Sequence, residues 1–144
     1  GIEIEANIKV DKKLQAKLFY AFVDGEVTTN NGVKDTTYFN LVKRPKHSIG
    51  ATITYQITPR LFISTNLYNY GKRTDNYFDP MTYTSSVVEM KSYFLWNAYA
   101  SFDILPKKIK LFADAKNLLN KDYYEVYGYA SQGFNITGGI SFRL

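Results

Sequence analysis

Alternation of apolar and polar residues runs through most of this chain and restricts it to β structure. In the segment 48–57, apolar residues fall at every second position. Successive side chains of a strand point to opposite faces of a sheet, so this period predicts strands with one apolar face. It recurs over 2–10, 14–22, 48–57, 61–70, 93–104, 109–116 and 134–144. No stretch of comparable length has a helical period, and the chain is predicted to be all-β.

The connections between these seven strands alternate between short and long. Tight turns follow the first, third and fifth strands, whereas long polar connections span 24–45, 71–92 and 118–132. In an antiparallel up-and-down meander, alternate connections lie at opposite ends of the sheet. Short turns at one end and long loops at the other are typical of bacterial outer-membrane barrels, whose short turns face the periplasm. We therefore expect the long loops outside the cell and the C-terminus in the periplasm.

Aromatic residues flank the apolar faces of the predicted strands, with aliphatic residues between them. Amphipathic rings prefer the interface between lipid and water, so two such bands predict lipid-facing girdles. The girdle at the long-loop end comprises Tyr20, Phe22, Phe94, Trp96 and Phe134, and the one at the short-turn end comprises Tyr55, Phe102 and Phe142. Two alternatives stay open: a soluble β-sandwich binding module, and a small structural or adhesive outer-membrane barrel.

Composition excludes several other classes. The chain has no apolar run of the ~20 residues that a membrane helix needs. Its formal charge of +5 is spread along the sequence, so no nucleic-acid partner is expected. We also expect neither cofactor nor enzymatic activity, because no catalytic constellation of residues is present.

The odd number of strands predicts that this chain is only part of a barrel. The first and last of seven meandering strands run parallel, so they cannot close by antiparallel pairing. Bacterial single-chain barrels have even strand numbers, and unpaired edges are not tolerated in hydrocarbon. We therefore interpret residues 1–144 as a segment of one outer-membrane barrel domain, with lipid and the missing barrel strands as partners.

Several motifs occur in the order known from one family. They are Gly1-Ile2-Glu3-Ile4-Glu5-Ala6, Arg44-Pro45-Lys46-His47-Ser48, Tyr70-Gly71-Lys72-Arg73, Asn117-Leu118-Leu119-Asn120-Lys121-Asp122-Tyr123 and Tyr127-Gly128-Tyr129-Ala130-Ser131-Gln132-Gly133. Together they resemble the C-terminal barrel segment of TonB-dependent outer-membrane receptors, most closely the cobalamin branch. Leu119 departs from the usual Phe, and Leu144 stands where such barrels usually end in an aromatic residue.

The resemblance implies a fold, a transport function and partners. These residues would form the last seven strands of a 22-stranded barrel, with a plug domain upstream. The receptor would import a scarce small molecule, cobalamin or a ferric siderophore, across the outer membrane. Energy would come from TonB, acting through an N-terminal region that this chain lacks.

Tyrosines are the candidate ligand contacts, because they offer flat apolar area with a hydroxyl group. Those expected to line a vestibule at the long-loop end are Tyr68, Tyr70, Tyr77, Tyr83, Tyr127 and Tyr129. Interface anchoring would explain them equally well. No metal site is expected, since Asp75, Asp79 and Glu89 do not have the spacing of a calcium loop and His47 has no Cys partner.

Overall fold

Eleven strands make up the computed structural model, which describes residues 1–30, 32, 33, 35–39 and 42–143, without the side chains of residues 27 and 36–39. They are β1 (Ile2–Lys9), β2 (Leu14–Phe22), β3 (Glu26–Asn30), β4 (Asp35–Phe39), β5 (His47–Gln56), β6 (Leu61–Tyr70), β7 (Arg73–Asp79), β8 (Thr84–Met90), β9 (Tyr93–Leu105), β10 (Ile109–Lys116) and β11 (Asn135–Phe142). Seven of them form one antiparallel sheet in the order β1-β2-β5-β6-β9-β10-β11. This arrangement confirms the predicted seven-stranded meander. The expected end of the last strand, Leu144, lies outside the described residues.

Two of the long connections are not the plain loops that the sequence predicted. The first contains the β3–β4 hairpin and the second contains the β7–β8 hairpin, each a separate two-stranded sheet. Their sequences, EVTTN, DTTYF, RTDNYFD and TSSVVEM, carry no sustained alternation. A hairpin outside the main sheet has no broad face to bury, so the periodic signal of a half-buried strand is missing.

The register of the main sheet confirms the predicted division into two faces. Across the sheet Ala16 lies opposite Ile53, Ile53 opposite Thr65, and Thr65 opposite Ala98. The girdle residues within strands belong to this same side, here called the apolar face. The other side, the polar face, carries residues such as Thr52, whose hydroxyl donates to the Asn66 Oδ1 at 2.8 Å.

Polar atoms on the apolar face find partners within the sheet. The Thr65 hydroxyl donates to the Asn97 carbonyl at 3.1 Å and accepts from the Trp96 Nε1 at 2.7 Å. Thr65 interrupts the apolar pattern of β6, and these two bonds remove the cost of placing a free hydroxyl in an apolar setting. Between β9 and β10 the register shifts, because Ile109 pairs with Leu105 whereas Lys110 pairs with Asp103. Ile104 has no partner at this irregularity, so the alternation of faces along β9 ends at Asp103.

Two glycines of the polar face make room for aromatic rings on the neighbouring strand. Phe19 lies over Gly50, and Phe112 lies over Gly139, where an added Cβ would come within 2.6 Å of the ring. Because glycine has only a hydrogen atom in place of a side chain, each ring can lie over the backbone of the neighbouring strand. The two phenylalanines break the polar pattern of their face for this reason.

The short turns are closed by side chains that accept backbone hydrogen bonds. The Asp11 Oδ1 accepts from the amides of Lys13 at 2.6 Å and Leu14 at 2.8 Å, and these bonds lower the pKa of the Asp11 carboxyl. The Thr58 hydroxyl accepts from the amides of Arg60 and Leu61. Asx and Thr turns of this kind fix tight connections without a long loop.

The main sheet is open in the part of the chain that the structure describes. β1 pairs only with β2, and β11 pairs only with β10. Both edges therefore present backbone groups to a further strand. Among the described residues, no helix has the length and apolarity needed to span a membrane.

Candidate functional site

Three segments meet at the long-loop end of the sheet. They are the β7–β8 hairpin, the connection 117–134 that precedes β11, and Lys43 from the first long connection. We call these three segments the loop assembly. Side chains, rather than a shared sheet, hold them together, and Arg73, Asp75 and Asn117 make the joining contacts.

Arg73 lies buried where the hairpin joins the main sheet. Its side chain is only 5% exposed, with the guanidinium 4.8 Å from the centre of the Tyr93 ring. The Nη2 donates to the carbonyl of Tyr124, which ties the hairpin to the connection 117–134. Among the described residues, Nη1 has no hydrogen-bond partner. Arginine suits this place because its flat cation stacks on a ring while donating at its edge.

Asp75 joins all three segments. Strand alternation places it on the same side of β7 as Arg73, and it is 1% exposed. Its Oδ2 accepts from the amide of Tyr127 at 2.8 Å, and its Oδ1 lies 3.7 Å from the Lys43 Nζ. The Lys43 amide also donates to the Thr74 carbonyl at 2.7 Å. A buried carboxylate requires such partners, and here they come from three separate stretches of chain.

Asn117 closes the base of the connection that precedes β11. Its Nδ2 donates to the carbonyls of Lys121 at 2.9 Å and Gln132 at 3.2 Å, while its Oδ1 accepts from the Lys121 amide at 2.9 Å. Asn120 adds a second closure, accepting from the Phe134 amide at 2.8 Å. Both asparagines have positive φ, 49° and 46°, which this residue type tolerates better than most.

A row of aromatic rings leads from the polar face of the sheet into the loop assembly. Tyr68 and Tyr70 lie two residues apart on β6, and Tyr70 pairs across the sheet with Tyr93. Tyr123 stacks on Tyr93 with ring centres 4.5 Å apart. Phe19 extends the row at the other end, 6.2 Å from Tyr68. Burial, with a smaller effect of Glu125, raises the pKa of the Tyr123 hydroxyl. The phenol therefore stays neutral well into the alkaline range.

The six predicted tyrosines fall into three groups. Tyr68 and Tyr70 belong to the aromatic row, and Tyr77 packs edge-on against Tyr127 with centres 5.1 Å apart. Tyr83 and Tyr129 are 82% and 73% exposed, apart from the others. Sequence reasoning missed Arg73 and Tyr93 as site residues. The only available signal was the two-residue spacing of Arg73 and Asp75, which the absence of a recognisable strand obscured.

A cleft of about 420 Å³ opens between the hairpin and the connection 117–134. Its walls include Met90, Tyr93, Tyr123, Tyr124 and Tyr127, and charged residues also line it, namely Glu89, Lys91, Lys121 and Asp122. The volume lies within the range of small-molecule sites, and mainly apolar walls with a few polar groups are typical of them. Such a cleft can hold a flat molecule that carries polar or charged groups at its edge.

The three carboxylates considered as cation ligands have separate partners. Asp75 binds the Tyr127 amide, the Asp79 Oδ1 accepts from the Met81 amide, and Glu89 pairs with Lys72 at 2.8 Å. The described part of the chain holds no group of three His, Cys, Asp or Glu side chains suited to a metal ion. His47 lies among rings, with its Nδ1 2.8 Å from the Tyr20 hydroxyl and its ring 5.1 Å from that of Phe22.

Comparison with known proteins finds a family and several similar folds. Residues 1–118 match the family model described as TonB dependent receptor-like, beta-barrel. The pyoverdine outer membrane receptor FpvA from Pseudomonas aeruginosa PAO1, bound to pyoverdine, has a TM-score of 0.75 at 13% identity, over 99% of this chain and 21% of its own. The open form of the ferric-catecholate import receptor Fiu from E. coli K12 has a TM-score of 0.67 at 14% identity, over 96% and 19%.

A third solved structure, the siderophore receptor PirA from Acinetobacter baumannii, has a TM-score of 0.59 at 14% identity, over 97% of this chain and 31% of its own. At these identities the likeness shows the fold. The chain spans between a fifth and a third of the length of these three structures.

Proposed function

This chain belongs to the TonB-dependent receptor-like β-barrel family, and we propose that it forms the last seven strands of a 22-stranded outer-membrane receptor that imports a scarce nutrient. The family consists of bacterial outer-membrane barrels that act as receptors, not of enzymes. In this proposal the chain supplies part of the barrel wall and of the external loops. The plug domain and the region that contacts TonB lie elsewhere in the receptor.

The observation that carries the proposal is the aromatic cleft beside Tyr93. It lies at the long-loop end of the sheet, next to the aromatic row that continues along the polar face. In a closed barrel the polar face would line the lumen. A molecule held by the loop assembly would then stand directly above the route through the barrel.

A ferric siderophore is the substrate class that we favour. The similar structures include a pyoverdine receptor and a ferric-catecholate import receptor. The cleft itself offers rings for stacking. Of its four charged residues Glu89 is paired with Lys72, so Lys91 and Lys121 outnumber Asp122 and would favour an anionic chelate. Cobalamin, which the sequence motifs suggested, stays a prediction that the same binding experiment tests.

In this proposal the apolar face meets lipid. The eight girdle residues would then stand at the two interfaces, with the aliphatic residues of the strands between them. The long loops would lie outside the cell and the C-terminus in the periplasm. On whole cells that carry the receptor, a Cys at Met81 should react with an impermeant thiol reagent, whereas a Cys at Lys107 should not. The reverse pattern would contradict this orientation.

The test of function is ligand binding and uptake by the full receptor. Purified receptor is titrated with ferric pyoverdine, a ferric catecholate and cyanocobalamin. Uptake of the same ligands is measured in a receptor-deficient strain that carries the wild-type receptor or one of its variants. Loss of a stacked ring typically costs about 1 kcal/mol, so Tyr123→Ala and Tyr124→Ala should each weaken binding of the true substrate about fivefold. The control is Met81→Ala, because Met81 is 89% exposed at the hairpin tip.

Two further variants decide how far the ligand extends. Tyr83→Ala and Tyr129→Ala remove the exposed tyrosines, and they weaken binding only if the ligand also reaches the loop tips. Unchanged affinity in both cleft variants, for every ligand that the wild type binds, would contradict the assignment of the cleft. A receptor that binds and imports none of the three ligands would contradict the uptake of siderophore and of cobalamin.

A further inference from the structure

A long depression crosses the apolar face of the main sheet. Its first part is a groove of about 400 Å³, with Ala6 and Ala51 in its floor and the rings of Tyr20 and Phe94 at its long-loop end. A second groove of about 400 Å³ lies closer to the short-turn end, and the small residues that line it are Ala98, Ala100, Ala113 and Ala115. The walls of both grooves are mainly apolar.

The two grooves follow each other along β6. Leu67 lines the first, and Thr65, two residues away on the same face, lines the second. From Asn69 to Ile63 the depression extends over six residues of this strand, which is about 20 Å at ~3.4 Å per residue. One leaflet contributes about half of a hydrocarbon core of ~30 Å. The depression is therefore long enough to hold an acyl chain of a membrane lipid.

Asn69 is a polar residue of the apolar face whose side chain has no hydrogen-bond partner in the part of the chain that the structure describes. It lines the first groove between Ile49 and Phe94, one residue before the end of β6. Thr65, by contrast, satisfies its hydroxyl within the sheet. A carboxamide without a partner is costly to place against hydrocarbon. We therefore expect a polar group of a bound molecule at Asn69.

The depression has the polarity of a lipid along its length. At its long-loop end the Asn69 amide is accompanied by the Tyr20 hydroxyl, which lies 2.8 Å from the Nδ1 of His47. His47 is paired with Phe22 in the register, so it belongs to the same face. Beyond this polar rim the floor consists largely of alanines. A lipid likewise joins a hydrocarbon chain to a polar linkage at one end.

We propose that this depression binds one acyl chain of a membrane lipid, with the ester or amide linkage of that chain at Asn69. The proposal rests on the assignment of the apolar face to the bilayer. The Asn69 Nδ2 would donate to the carbonyl of the linkage, and the head group would lie at the level of the Tyr20–His47 pair. Such a lipid is a bound ligand of the receptor, because the walls of the grooves surround it more closely than neighbouring lipids do.

Photolabelling of the full receptor tests the proposal. The receptor is reconstituted in vesicles of phosphatidylethanolamine and phosphatidylglycerol, in which part of the phosphatidylethanolamine carries a diazirine on one acyl chain. One sample is irradiated in the vesicles and a second after extraction into mild detergent, which dilutes unbound lipid. We expect adducts over the whole apolar face in the vesicles. After extraction, mass spectrometry should find them only at residues of the depression, such as Leu67 and Ala98.

Substitutions show whether the grooves and the amide hold the lipid. Ala51→Phe and Ala98→Phe fill the depression and should each remove most of the detergent-resistant adducts. Asn69→Leu should lower them about fivefold, the usual effect of losing one hydrogen bond. Ala16→Phe is the matched control and should keep them, because Ala16 lies on the same face, opposite Ile53, but lines neither groove.

The outcomes separate this proposal from the proposed function. Adducts that disappear on extraction, stay spread over the apolar face, or are unchanged in Ala51→Phe or Asn69→Leu would overturn the bound lipid alone. A second membrane protein recovered on the depression in place of lipid would do the same. Absence of adducts in the vesicles themselves would contradict the assignment of the apolar face to lipid, and hence the proposed function. Heat-modifiability on gels confirms that each variant is folded.

Discussion

The seven-stranded sheet and the loop assembly are held together in opposite ways. In the sheet, backbone hydrogen bonds repeat along every ladder from β1 to β11. In the loop assembly, the segments are joined by a few side chains, among which Arg73, Asp75 and Asn117 carry most contacts. A repeated ladder tolerates the loss of one side chain, whereas a shared network loses several bonds when one member is removed. A substitution that destabilises the sheet should therefore lower the global stability, whereas one in the loop assembly should cause only local unfolding.

The largest effect is expected from a charge on the apolar face of the sheet. Ile53 lies in the middle of β5, and Thr52 beside it faces the other way. If the apolar face meets lipid, Ile53→Arg should cost about 2–4 kcal/mol of unfolding free energy. Thr52→Arg should cost about 1 kcal/mol, the usual worth of its hydrogen bond to Asn66. Reversible unfolding of the full receptor in lipid vesicles gives both values.

A larger loss for Thr52→Arg than for Ile53→Arg would mean that the two faces are assigned the wrong way round. A soluble sandwich would show the same order, since Ile53 would then belong to its core. Wild-type receptor transferred from detergent to plain buffer separates these cases, because only a membrane barrel needs the detergent to stay folded.

The next effect concerns the loop assembly and should leave the sheet intact. Asp75→Ala removes the carboxylate that binds the Tyr127 amide and pairs with Lys43. A hydrogen bond to a charged group contributes about 1.5–3 kcal/mol. Amide exchange in the connection 117–134 should thus speed up at least about tenfold, with no change in global unfolding.

Hydrogen exchange followed by mass spectrometry measures that change peptide by peptide. Asp79→Ala is the matched control, because Asp79 lies in the same hairpin and its hydrogen bonds, from Met81 and Thr82, stay within its own turn. Faster exchange throughout the seven strands in the Asp75 variant would show that sheet and loop assembly unfold as one unit.

Two glycines allow the same substitution to be compared in both regions. Gly50→Ala places a methyl group where the Phe19 ring lies, and crowding of this kind costs about 1–3 kcal/mol. Gly128→Ala meets nothing within 4 Å, but its φ of +81° is strained for alanine, at a cost of about 1 kcal/mol. We expect the first to lower global stability and the second to speed exchange only near Tyr127. Phe19→Ala in the Gly50→Ala background should recover part of the loss, and no recovery would contradict the packing argument.

The smallest effect is a difference in pH response. Burial raises the pKa of Tyr123, so its contribution to the loop assembly is present below the ordinary tyrosine value and is lost as pH rises through the raised pKa. Backbone hydrogen bonds lower the pKa of Asp11, so its contribution to the first turn is present above the ordinary value of 3.8 and is lost as pH falls through the lowered pKa. Ultraviolet titration of tyrosinate against Tyr123→Phe, and carbon NMR of the Asp11 carboxyl, measure the two values. An Asp11 pKa at or above 3.8, or a Tyr123 pKa at or below 10.0, would contradict the corresponding contacts.

The same contrast explains what could be predicted from the sequence. Alternation determines both the strand and its face, so it predicts that Ala16 and Ile53 lie on the same face of the sheet, as their pairing shows. The register itself was not predicted. Even Thr65, which interrupts the pattern, finds its partners inside the ladder. Long-range pairing was accessible because a meander joins each strand to the next.

The loop assembly follows no such period. Arg73 contacts Tyr93 and Tyr124 because two long connections fold over the same end of the sheet. No local sequence pattern predicts these contacts. The β7–β8 hairpin was missed because the buried positions of β7 carry the charged residues Arg73 and Asp75, so apolar and polar residues do not alternate there. Tyrosines as a residue type did indicate the end of the molecule at which the loop assembly lies. Their grouping around Tyr93 depended on tertiary contacts that no local pattern reports.

The closure made by Asn117 has a consequence for how such a receptor can diversify. One amide group ties the chain at Lys121 and again at Gln132, so the start of β11 is set independently of what lies between. Residues near Gly128, at the exposed crest of this connection, can be lengthened, shortened or exchanged while the strand keeps its place. In the proposed receptor, mutation can therefore change the exposed surface around Gly128, and with it the ligands that are bound, while the sheet beneath keeps its structure.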